Sequence, residues 1–302
     1  MEKNSQTYLE QLRWGTLRNY KKVMALFVFA FAFSSMKAST IHWITFIDTD
    51  DRNVGELDKN ARNILYERFI KVVNNELGQY GYDYKIYDYY SGNYTPQDCQ
   101  NCIKNLRCDT TDIVIFYHIG HGSRISKDIE HVKYPLMLID NEIRHGIPLS
   151  WVHKSLKEKN ARLTFTISIA SNRYVEIGGD TDIAEVILPS IQNCEELKDA
   201  DNQYKSVIAN AFLGYKGDLI VCSASPEQDS WAAQTPFGSM DVFTYVFVST
   251  FEGAIFDKSF TWPKFLTKLS ETTTEVTKDM PTQGIQTPIY DYNLKRIPEN
   301  GR

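Results

Sequence analysis

DIVIFYHIGHGSR, residues 112–124, decides the fold. Residues 112–118 form a nearly continuous apolar run, the pattern of a strand buried on both faces of a parallel sheet. The run breaks into Gly120-His121-Gly122, where two glycines let the backbone turn tightly beside an imidazole. A ring flanked by glycines is unshielded, as a proton-transfer group requires. A turn histidine with no task fits the same residues, and the motif alone does not separate the two readings.

Working outward, short β-rich runs alternate with amphipathic stretches, which is the pattern of an α/β domain with a largely parallel sheet. Strands are expected at 41–48, 84–89, 112–118, 162–169 and 219–223. Apolar residues at Ala61, Ile64, Leu65, Phe69, Val72, Val73 and Leu77 give helical spacing over 57–77. Further helices are expected at 96–106, 149–156, 184–197, 206–215, 241–251 and 263–277. No repeat or low-complexity linker divides the chain, so 39–302 reads as one domain.

At 302 residues, 42% hydrophobic and 24% charged, the chain is globular, and disordered, collagenous and peptide scaffolds are excluded. The 33 basic and 38 acidic residues give −5. Residues 1–38 carry six basic and two acidic side chains, +4, which leaves −9 for the remainder. An acidic body argues against a nucleic-acid partner. Lys21 and Lys22 precede an apolar run of 11 residues, 23–33 (VMALFVFAFAF), followed by small and polar residues to Ala38. This is the layout of a secretory signal peptide over 1–38, and the run is too short for a permanent membrane span. The expectation is a periplasmic or secreted protein; an uncleaved anchor and a buried helix are the alternatives.

Export permits disulfides among Cys99, Cys102, Cys108, Cys194 and Cys222. The spacing C-x2-C-x5-C could supply part of a zinc shell, but no histidine lies near it in sequence. No cofactor is expected. Asp48, Asp50 and Asp51 could hold calcium, since oxygen ligands at that spacing can converge, although a solvated acidic loop is the preferred reading.

In parallel α/β sheets, sites gather at the carboxyl ends of strands. The strand at 162–169 ends in Ala170-Ser171-Asn172-Arg173, and Ser171 stands 50 positions after His121. That separation is the one between the caspase catalytic histidine and cysteine. Together these residues resemble the caspase-like cysteine peptidases, most nearly the metacaspase-like proteins of bacteria. Residues 48–52 (DTDDR) with Val54-Gly55 are similar to the family's opening loop, and 112–124 to its strand ending in a glycine-flanked histidine. Tyr134-Pro135 through Leu138, LIVCSAS at 219–225, Gly238 with Phe243-Thr244-Tyr245, and Gln286-Thr287-Pro288 resemble further family segments. The resemblance implies a three-layer sandwich with a mostly parallel central sheet flanked by helices. It also implies His121 as the catalytic base and a cleft edge at Ser223, Ala224 and Ser225.

The chain departs from the family at the nucleophile. Where the family keeps Asp-x-Cys, this sequence reads Ile169-Ala170-Ser171, so the sulfur is replaced by a hydroxyl and the acid that would bind a basic side chain by Ile169. A thiol of pKa about 8.5 is readily held as thiolate beside an imidazole. A hydroxyl needs its proton removed during attack, usually by a base that a third group orients. Displacements near 1 Å cost about 10²-fold in rate. The expectation is an exported monomeric pseudopeptidase whose cleft binds a peptide or protein. A weak endopeptidase using Ser171 and His121, and an unrelated secreted α/β binding protein, are the alternatives.

Several residues are expected to have structural roles. Cys222 and His118 read as packed, Trp231 and Phe237 as packing near the cleft, and Asn172 as a helix cap or an orienter of His121. Residues 173–205 are acidic, with few basic sites for self-cleavage.

Overall fold

The computed structural model describes residues 38–124, 132–140, 143–174, 201–278, 280 and 284–298. The leader, the helix expected at 184–197, Cys194 and most of the 173–205 stretch lie outside the described residues.

Strand β1 (Ser39–Ile47) sends Ile41, Trp43 and Ile47 to one face of the sheet and Ile44 and Phe46 to the other. A helical stretch follows: α1 (Gly55–Leu65), a π-helical turn (Tyr66–Ile70) and α2 (Lys71–Gly78). The sequence predicts one regular helix here, and the π turn has a physical cause. Buried Ala61, Leu65, Phe69, Val73 and Leu77 recur every four residues. An α-helix drifts about 40° with each such step. One wider turn offsets the drift and keeps the stripe on the sheet.

Strand β2 (Tyr82–Tyr89) pairs parallel with β1 at the sheet's edge. Helix α3 (Pro96–Asn105) starts on a Thr95 cap, whose hydroxyl accepts from Asp98 N–H, with proline in the first turn. Strand β3 (Ile113–Ile119) is buried throughout. A small sheet of β4 (Gly122–Ser123), β5 (Leu136–Met137) and β6 (Ile147–Pro148) leads to α4 (Leu149–Lys157). Strand β7 (Leu163–Ile169), helix α5 (Asp201–Leu213) and β8 (Tyr215–Cys222) follow. The hairpin β9 (Ala232–Thr235) and β10 (Gly238–Asp241), helices α6 (Val242–Ala254) and α7 (Trp262–Lys278), and β11 (Ile289–Arg296) complete the order.

The main sheet runs β11-β8-β7-β3-β1-β2, with every pair parallel except β11 against β8. Residue alternation splits the core into two layers. Residues of α1, α2, α5, α6 and α7 pack with Ile115, Tyr117, Phe165 and Val221, whereas α3 and α4 pack with Val114, Phe116 and Ile220. The first layer is rich in aromatic edges: Phe165 meets Trp262 at 4.5 Å and Phe69 meets Phe251 at 4.8 Å between ring centroids. Each such buried ring contributes roughly 1.5–3 kcal/mol through burial. The architecture is a caspase-like α/β sandwich. Among the described residues no helix is long and apolar enough to cross a membrane.

Because β1, β3, β7 and β8 are parallel, their carboxyl ends share one edge. Pairing continues past the strands: Asp48 N–H donates to Ile119 O at 2.9 Å, Gly120 N–H to Ile169 O at 3.1 Å, and Ser223 N–H to Ser168 O at 2.9 Å. These bonds fix the positions of the loops that form the candidate site.

Candidate active site

His121 and Ser171 each lie two residues beyond Ile119 and Ile169, the last paired residues of β3 and β7. The loops that carry them approach closely at Gly122. A Cβ built on Gly122 would stand 2.6 Å from Ser171 O and 2.5 Å from the Ala170 Cβ. The side chains turn to different partners. His121 Nε2 lies 3.2 Å from Asp51 Oδ2. Ser171 Oγ accepts from the Ser230 N–H at 3.1 Å, and its hydroxyl lies close enough to the Asp229 carboxylate to act on its pKa. Burial raises the Asp229 pKa, opposed by the charge of Arg173, 2.7 Å away, and by the Ser171 hydroxyl.

The loop after β1 aims Asp51. Its Oδ1 accepts from the N–H groups of Asn53 (2.7 Å) and Val54 (3.0 Å), which leaves Oδ2 for His121. Burial pushes the Asp51 carboxyl up, but these backbone bonds and the His121 charge outweigh it and hold the pKa below the ordinary value. Asp48 is buried, accepts from the Asp51 N–H at 3.2 Å, and is raised by burial and then by the Asp51 charge. Asp50 is exposed and accepts from Ser91 Oγ at 2.8 Å. Of the three aspartates considered for calcium, Asp48 and Asp51 therefore converge, with His121 as the third group.

Two more buried carboxylates sit behind this loop. Asp58 has its pKa pushed well up, first by burial and then by the charges of Asp241, Asp48 and Asp51. Asp241, whose Oδ1 caps α6 by accepting from Thr244 N–H at 2.5 Å, is pushed up to about 6 by burial.

The other residues singled out in the sequence occupy a tightly bonded wall. Ile169, Ser223 and Ala224 are fully buried, Ile169 within the aromatic-rich layer. Ser225 is half-buried and donates to Thr287 O at 2.7 Å. Gln286, fully buried, donates from Nε2 to Ser223 O at 3.0 Å and accepts at Oε1 from Trp231 N–H at 2.9 Å. Asn172 donates to Lys133 O (3.0 Å) and Ala224 O (3.2 Å), so it ties loops together. Trp231 and Phe237 pack against the core, and the Arg68 guanidinium lies 4.1 Å from the Phe237 ring centre.

His118 is fully buried between Ser168 Oγ (2.9 Å) and Tyr94 OH (3.1 Å); burial, with the nearby His121 charge, drives its pKa down to about 3. It is a neutral packed ring. Cys222 is also fully buried, with its thiol pushed up to about 12 by burial, and so is inert. Cys99, Cys102, Cys108 and Cys222 are unbridged thiols. Cys108 meets His42 and Asp112 at the opposite end of β1, a histidine partner that sequence distance concealed. The Asp51 and Asp229 partnerships also went unread: a strand-end acidic loop was the only signal for the first, and nothing marked the second.

No curated protein matches the chain in sequence. Among solved structures, the protein GSU0716 from Geobacter sulfurreducens is similar at 12% identity and a TM-score of 0.41, over 87% of this chain and 95% of that one. The caspase domain family (Peptidase_C14) matches residues 70–297, a range that includes His121 and Ser171 and begins after Asp48 and Asp51. The chain belongs to the caspase domain family.

Proposed function

We propose that this caspase-domain protein is an exported pseudopeptidase, with residues 1–38 as its leader, and that it acts as a monomer whose cleft engages a peptide or partner protein. The observation that carries this reading is the partnering at the two strand ends. Ser171 Oγ accepts from the Ser230 N–H and lies beside the Asp229 carboxylate, while His121 faces Asp51. Replacement of the family's acid by buried Ile169 removes the charge that would select a basic side chain.

One observation favours a second reading. Asp51 gives His121 the orienting carboxylate that a serine nucleophile needs. A readjustment that brought the Ser171 hydroxyl within hydrogen-bond reach of the ring would then assemble a serine peptidase. A mixed peptide library incubated with the purified chain, its His121→Ala variant and its Ser171→Cys variant separates the two. The pseudopeptidase reading expects identical, background cleavage by the wild type and His121→Ala, with peptides retained on the immobilised wild type. Turnover by the wild type that His121→Ala abolishes overturns it in favour of the serine peptidase.

A further inference from the structure

We propose that Asp48, Asp51 and His121 form a binding site for a divalent transition-metal ion of the zinc class. The three side chains offer ligand atoms that all lie within 4.8 Å of one another. One pair, Asp51 Oδ2 and His121 Nε2, is 3.2 Å apart. An ion with bonds of about 2.1 Å in tetrahedral geometry has ligand edges of roughly 3.4 Å, so this edge is already close to the required length. The backbone bonds to Asp51 Oδ1 supply the outer-shell support that aims a metal carboxylate. Three protein ligands leave a fourth position open for water or a ligand in the cleft.

A second, independent observation points to a cation. Asp58 Oδ2 and Asp241 Oδ2, on side chains more than nine-tenths buried, have no hydrogen-bond partner. The charges that face Asp58 are three more carboxylates, those of Asp241, Asp48 and Asp51, and the base that faces Asp48 is His121. A divalent ion on the Asp48 and Asp51 carboxylates and a neutral His121 imidazole makes that three-ligand set electroneutral. The imidazole also decides the metal class: a nitrogen donor suits zinc, cobalt or nickel, whereas calcium prefers an all-oxygen shell.

With an ion on Nε2, the ring's remaining proton resides on Nδ1. His121 then has no lone pair with which to take a proton from Ser171, so metal binding and base catalysis exclude each other at this ring. The inference does not depend on the pseudopeptidase reading, because the metal is measured directly.

The test titrates the chelator-stripped full chain with zinc, cobalt and calcium by calorimetry and, for cobalt, visible spectroscopy. The expected result is one zinc per chain, with calcium much weaker and a cobalt spectrum that lacks a thiolate charge-transfer band. His121→Gln, Asp48→Asn and Asp51→Asn should each weaken zinc at least about tenfold, no less than the loss seen for outer-shell partners. Metal-free melting curves identify any variant that fails to fold, and His121→Gln at the partly exposed ring remains informative if Asp48→Asn does not fold. Absence of zinc binding overturns the proposal. So does zinc affinity unchanged in every folded variant, or a thiolate band, which would put the ion at His42, Cys108 and Asp112 instead.

Discussion

Substituting Gly122 by alanine probes how tightly the strand ends carrying His121 and Ser171 meet. The added methyl would lie 2.5 Å from the Ala170 Cβ, 2.6 Å from Ser171 O and 3.2 Å from Leu136 O. Non-bonded carbons prefer about 3.5–4.0 Å, so the first contact overlaps by roughly 1 Å. None of the three atoms belongs to a flexible side chain. Relief requires moving the loop at 170–171 or breaking the pairing of Gly122 with Met137. Overpacking of this kind costs about 1–3 kcal/mol, and rigid neighbours place this case at the upper end. At about 2–4 °C per kcal/mol for a domain of this size, the melting midpoint should fall by roughly 6–12 °C. Calorimetric melts of the purified chain, with Gly253→Ala as the comparison, provide the assay. Gly253 lies in α6 with nothing within 4 Å of its added methyl, so alanine there should be neutral or stabilising. A Gly122→Ala midpoint within about 1 °C of wild type would refute the close approach on which the site's geometry depends.

Two further outcomes follow from the same geometry. In Ser171→Cys, iodoacetamide at neutral pH should label the new thiol at least about tenfold faster than Cys222, whose buried thiol is pushed up to about 12; peptide mapping that shows equal rates would mean that position 171 is sealed off. Burial pushes folded Asp241 up from 3.8 to about 6, so the folded state holds the proton more tightly than the unfolded chain does. That contribution is complete below pH 3.8, fades as pH rises through about 6 and is absent above it. Asp241→Asn should therefore flatten the fall in stability between pH 4 and pH 6.5 and gain up to about 3 kcal/mol at pH 7. Denaturant midpoints that keep the wild-type pH slope would contradict this.

The central strands were legible because burial on both faces leaves long apolar runs, and β1, β3 and β7 appear within a residue or two of their expected bounds. Strand β11 (IYDYNLKR) shows no continuous apolar run because an edge strand is half exposed; its only signal is the shorter alternation of Tyr290, Tyr292 and Leu294 with Asp291, Asn293 and Lys295. The β9–β10 hairpin is only four residues on each side, too short for periodicity to register. His121 could be read from its glycines, which a tight backbone approach demands locally. The Asp51 pairing spans 70 positions and depends on which strand neighbours β3, which no local pattern encodes. Likewise, Ser171 meets the Ser230 N–H on a loop that Gln286 holds at the next residue, Trp231.

That late glutamine has a consequence for how the protein is made. The loops carrying Ser223 and Trp231 are held by a side chain more than fifty residues downstream, and β8 gains its outer partner only when β11 is present. During synthesis at about 5–20 residues per second, the opening strands can associate well before residue 286 emerges. The nascent chain thus passes several seconds with its parallel sheet begun and these loops untethered, and it is in that interval that premature partners or proteases would find them.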